Sequence, residues 1–132
     1  MESLLKKLTT KHYPGVFCGI IILVLTGIPG SCFPRVKPIV GMDKVAHALM
    51  YAVFAFLCLW GYRHSYRTAE TSWRKKMLVL AAFISIVYGG FTEIMQEYLV
   101  PGRIGDVMDF LADALGTLLG VGVFAFFFKR KK

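Results

Sequence analysis

Four runs of apolar residues, at about 13–29, 44–61, 77–98 and 107–128, alternate with short polar stretches along the chain. Each run approaches the roughly 20 residues that a helix needs to cross about 30 Å of hydrocarbon. The pattern predicts an all-α fold, a four-helix transmembrane bundle with short connections, and one integral membrane domain over residues 1–132. The segment 30–41, GSCFPRVKPIVG, is rich in Pro and Gly and reads as an irregular connection. No internal repeat or low-complexity tract interrupts the pattern.

Composition sharpens this picture. With 56% hydrophobic residues in 132 and a mean hydropathy of +0.58, the chain matches a small membrane protein better than a soluble domain. Most of its 16 basic residues crowd one set of helix ends: Lys6, Lys7 and Lys11, then Arg63, Arg67, Arg74, Lys75 and Lys76, then Lys129 to Lys132. Arg35, Lys37, Lys44 and Arg103 lie at the other ends. The positive-inside rule therefore predicts cytoplasmic termini and a cytoplasmic 62–76 loop, in a multi-pass protein of the cytoplasmic (inner) membrane. Basic residues placed in this way act as topology signals and membrane-surface contacts, so the net charge of +8 does not argue for nucleic acid.

A basic N-terminus, an apolar run and Cys32 superficially suggest a cleaved lipoprotein signal. Pro29 stands where a lipobox wants Leu, and three more spans follow, so an uncleaved first helix is the expectation. Cys18, Cys32 and Cys58 are odd in number and scattered, which argues against a disulfide framework or a zinc site.

Of the 8 acidic residues, Asp43, Glu93, Glu97, Asp106, Asp109 and Asp113 sit at or inside the helix ends opposite the basic ones. Charge at that depth is costly and usually marks function. In span two, Asp43, His47 and Tyr51 fall at i, i+4 and i+8, a stripe on one face, although Asp43 alone also suits a helix N-terminus. Span three ends with Glu93, Gln96 and Glu97 after Gly89 and Gly90, which admit a close neighbour or a bend. In span four, Asp106, Asp109, Asp113, Gly116 and Gly120 advance by steps of three and four along one face, and the glycines suit tight helix packing. Repulsion among three carboxylates on one face calls for cations, protons or donors nearby. Glu93 and Asp113 lie about 10 Å inside their helix ends and His47 about 6 Å, so three helices are expected to converge on one pocket.

In order and spacing, Asp43-Lys44-Val45-Ala46-His47 with Tyr51, Glu93-Ile94-Met95-Gln96, and Arg103 with Asp109, Asp113, Gly116 and Gly120 resemble the VanZ-like family of membrane proteins. The family usually shows Asn where this chain has Asp113. The resemblance implies a role at the bacterial cell envelope and a context of resistance to glycopeptide antibiotics, teicoplanin in particular. It does not supply a biochemical activity.

The leading expectation is an outer-leaflet polar pocket that engages an envelope lipid, a precursor or a glycopeptide. Asp43, Lys44, His47, Tyr51, Gln96, Arg103 and Asp106 are its candidate ligand-binding residues. Arg103 suits a phosphate or carboxylate at the rim, or simple pairing with Glu97 or Asp106. An alternative is a metal-dependent hydrolase or transferase acting on a lipid headgroup, with candidate catalytic residues His47, Glu93, Asp109 and Asp113. A divalent ion would then sit on Glu93, Asp109 and Asp113, with His47 as base. A proton-coupled transporter is a third alternative, weakened by the lack of acids in the cytoplasmic halves of the spans.

Overall fold

The computed structural model describes residues 2–32 and 41–129, with backbone alone for residues 2–10. Arg35, Lys37, Arg130, Lys131, Lys132 and the side chains of Lys6 and Lys7 lie outside the described residues. The structure is all-helical, 85% helix. In chain order come α1 (Glu2–Thr26), α2 (Met42–Trp60), α3 (Arg63–Thr68), α4 (Thr71–Leu99) and α5 (Val107–Phe127), with a 3-10 turn at Gly30–Cys32.

Among the described residues, three helices, α2, α4 and α5, are long and apolar enough to cross a membrane. The first helix, α1, starts well before position 13 and ends at Thr26, three residues short of the predicted position 29. Its end is set locally. Thr26 Oγ1 donates to the Ile22 carbonyl at 2.8 Å, and Pro29 biases the residue before it away from helical geometry. The 62–76 segment also differs from the expected loop. Within it, Tyr66 is buried against Phe124, ring centroids 5.2 Å apart, and that anchor accompanies the short helix α3. Thr71 then opens α4 early, so Arg74, Lys75 and Lys76 are helical.

Small residues decide how the helices approach. A Cβ built at Gly116 would fall on the Ala48 carbonyl, and one at Gly120 on that of Ala52, so α2 and α5 run parallel with their backbones in contact. On α4, Gly89 faces Asp113 and Gly90 faces Phe110, which sets α4 antiparallel to α5. Likewise Gly15 meets Cys58 and Gly19 meets Phe54, packing α1 antiparallel to α2. The core is aromatic: Tyr51 and Phe54 with Ile22 on one side, Leu59, Tyr66 and Phe124 on the other. Val79, Phe83, Leu115, Leu119 and Phe126 point outward and are more than half exposed. An apolar outside around buried polar groups is the arrangement expected of a bundle solvated by lipid.

The two ends of the bundle differ in charge. At one, guanidinium groups lie over rings, Arg63 on Trp60 at 4.6 Å, Arg67 on Phe128 at 5.0 Å and Arg74 on Tyr66 at 4.5 Å. At the other, the start of α2, the end of α4 and the start of α5 bring the acidic residues together.

Candidate functional site

The acidic end is built from three helix faces and one clamped loop. Asp106 caps α5, its carboxylate accepting the Met108 N–H at 2.8 Å. That bond, and behind it Lys44, hold the Asp106 carboxyl below the usual carboxylate range. Glu93 accepts the Asp106 N–H at 3.0 Å and Glu97 accepts the Gly105 N–H at 2.8 Å. Two carboxylates of α4 thus fasten the 100–106 connection, which turns on Gly102 at φ 73°. A Cβ at position 105 would stand 2.8 Å from the Glu93 carbonyl, so only Gly lets the loop lie this close.

Lys44 forms an outer layer, its ammonium 3.1 Å from Asp43, 3.2 Å from Asp106 and 2.9 Å from Asp109. One turn further in, His47 forms the inner layer. Its Nδ1 is 2.9 Å from Asp113 Oδ1 and 3.7 Å from Glu93 Oε1, while Nε2 is 3.9 Å from Asp109 Oδ2. His47, Glu93 and Asp113 are all buried, Asp113 completely. Their ligating atoms lie within 4.8 Å of one another. Two carboxylate oxygens in this layer, Glu93 Oε1 and Asp113 Oδ2, have no hydrogen-bond partner among the described residues. Burying polar atoms in that state is costly, more so for charged groups.

The structure therefore brings His47, Glu93, Asp109 and Asp113 into one cluster, with Lys44, Asp43 and Asp106 above it. Three other predicted residues make contacts within the frame. Tyr51 is buried with its hydroxyl 2.8 Å from Thr92 Oγ1, and Thr92 also donates to the Gly89 carbonyl at 2.9 Å. Gln96 donates to the Thr26 carbonyl at 3.3 Å and so ties α4 to the end of α1. Arg103 reaches the same segment, with Nε 3.4 Å from the Ile28 carbonyl. Thr92, Thr117 and Ser85 were not among the predicted site residues. All three are fully buried, and the hydroxyls of Ser85 and Thr117 have no hydrogen-bond partner among the described residues. Spacing was the available signal, since Thr117 follows Asp113, and Gly89 follows Ser85, by one helical turn.

A groove of about 430 Å³ opens beside the cluster between α4 and α5, lined by Gly90, Glu93, Ile94, Tyr98, Asp106 and Phe110 among others. Its walls are apolar and its acids, Glu93, Glu97 and Asp106, lie toward the clamped loop. A second groove, of about 410 Å³, runs between α1, α2 and α4 and touches none of the predicted site residues. The chemistry on offer at the acidic end is a buried imidazole held by carboxylates, next to an apolar channel that ends in carboxylates.

A family model described as VanZ/LLP1 matches residues 8–128. No curated protein and no solved structure matches the chain.

Proposed function

The chain belongs to the VanZ/LLP1 family, and from that premise we propose that it is an envelope membrane protein whose acidic end binds the headgroup of an amphiphile. The amphiphile is an envelope lipid or precursor, or a glycopeptide antibiotic such as teicoplanin. The observation that carries this reading is the groove between α4 and α5, whose lining includes both apolar side chains and Glu93 of the buried cluster. Apolar walls with a few convergent polar groups are the usual make-up of a ligand site. Glu93, Glu97 and Asp106 favour a headgroup rich in hydroxyls or bearing an amine. The positive-inside reading places this end in the outer leaflet of the cytoplasmic membrane.

A second reading, hydrolysis or transfer at a lipid headgroup, draws on the contact between His47 and Asp113. A buried carboxylate 2.9 Å from a ring nitrogen fixes the imidazole for general acid–base work.

Blocking the groove tests the leading reading. A Cβ at Gly90 would meet the Phe110 ring at 3.6 Å and no backbone, so a side chain can start there, and Gly90→Phe is the variant to fill the groove. The variant is expected to lose binding of labelled teicoplanin or envelope lipid, and any resistance conferred on a sensitive host, while keeping wild-type thermal stability. Undiminished binding in Gly90→Phe removes the groove from the account.

A further inference from the structure

Glu93, Asp109 and Asp113 surround a single imidazole at the inner layer, and Lys44 pairs with Asp109 as well as with Asp43 and Asp106 above it. Asp109 thus has Lys44 as a counterion, while Glu93 and Asp113 share the one imidazole, and a protonated His47 balances only one of them. Glu93 Oε1, which faces the imidazole at 3.7 Å, and Asp113 Oδ2, which faces Gly89, are buried with no hydrogen-bond partner among the described residues. From these groups we propose that His47 Nδ1, Glu93 and Asp113 bind one divalent transition-metal ion, with Asp109 as a positioning residue. The proposal rests on the preceding reading in taking this cluster as the working centre.

Geometry supports it first. Two ligands each about 2.1 Å from one ion stand about 3.0–3.4 Å apart in octahedral cis or tetrahedral arrangement. Nδ1 is 2.9 Å from Asp113 and 3.7 Å from Glu93, and all three ligating atoms lie within 4.8 Å of one another, so side-chain rotation alone, with no change of backbone, draws them onto one ion. Charge comes next, because a neutral imidazole, two carboxylates and a divalent cation sum to zero, which a buried site favours. Donor type then selects the ion. One imidazole nitrogen with two carboxylates suits Mn2+, Fe2+ or Zn2+ better than Ca2+, which prefers an all-oxygen shell.

The surroundings complete the arrangement. When Nδ1 faces the ion, the ring proton moves to Nε2, and Asp109 Oδ2 is the acid on that side, 3.9 Å away. Asp109 is in turn held by Lys44 at 2.9 Å. A carboxylate behind a ligating histidine fixes its tautomer and raises its basicity. This arrangement revises the metal set read from sequence. His47 enters as a ligand, and Asp109 moves behind it. A headgroup entering along the groove past Glu93 would meet the cation there, so phosphate or hydroxyl oxygens could bind beside an otherwise acidic wall.

The test uses the full chain purified in detergent, with Mn2+, Zn2+, Mg2+ and Ca2+ each titrated alone by calorimetry after chelation. Stoichiometric Mn2+ or Zn2+ binding is expected, with affinity lowered more than about 100-fold in Glu93→Gln and Asp113→Asn and about 10- to 100-fold in Asp109→Asn. Glu70→Gln, at the far end of the bundle, should bind as wild type. Bound Mn2+ should show 14N coupling by pulsed electron paramagnetic resonance, lost in His47→Asn; circular dichroism checks that each variant is folded. No stoichiometric binding, wild-type affinity in folded Glu93→Gln and Asp113→Asn, or bound Mn2+ without 14N coupling overturns the proposal. Amphiphile binding measured on the same samples separates the two claims. Ligand retained without metal refutes only the metal site, and metal retained without ligand refutes only the groove reading.

Discussion

Lys44 holds three carboxylates that would otherwise repel one another across α2 and α5, and only one of them, Asp43, is its sequence neighbour. Replacing it by Gln is expected to lower the thermal midpoint in detergent, whereas Arg, which keeps the charge, should restore much of it. Because the ammonium is partly exposed, the deficit should shrink as ionic strength rises, since salt screens exposed charges over about 10 Å at 0.1 M. A deficit independent of salt would assign Lys44 a packing role instead. Most of these residues were legible in the sequence. His47, Glu93, Asp109 and Asp113 stood out because ionisable groups inside apolar runs are rare, and the fixed helical rise set their depths. Their division of labour was not legible. That Gln96 ties down α1 and that Lys44 takes up Asp109 depend on which helix lies opposite, which spacing along one helix does not state.

At the scale of helices, the cluster depends on how closely α2 meets α5. Gly116 and Gly120 set that distance against Ala48 and Ala52, and His47 reaches Asp113 from the same pair of faces. Gly116→Val and Gly120→Val should each cost about 1–3 kcal/mol by overpacking, read from unfolding in detergent. Each should also weaken whatever the cluster binds, because the α2 donor is displaced. Wild-type stability in both would show that the backbones are not in contact. The glycine spacing announced a tight helix pair, but not its partner or its parallel sense. Helix ends were less legible than helix faces. Thr26 ends α1 early and Thr71 starts α4 early, through a hydroxyl bond to a carbonyl in one case and beside a buried Tyr66 in the other.

Over the whole molecule, charge separates the two ends, and the positive-inside rule predicts that the acidic one faces outward. With the acidic end outward, Cys32, exposed in the connection after α1, should react with a membrane-impermeant maleimide in intact cells. Cys18 and Cys58, both half-buried within helices, should not react, and Cys32→Ser should abolish labelling. Labelling only after the membrane is permeabilised would reverse the orientation. The family was legible because its residues recur in order across three helices, and the match over residues 8–128 agrees. The ligand was not, because an acidic cluster states the chemistry of its partner and not its identity. The most direct test of the central claim is native mass spectrometry of the wild-type protein and Gly90→Phe, released from the same membranes in mild detergent. The account predicts an amphiphile retained on the wild type and missing from the variant at equal thermal stability. Equal retention by both proteins, or a wild type that carries none, would contradict it.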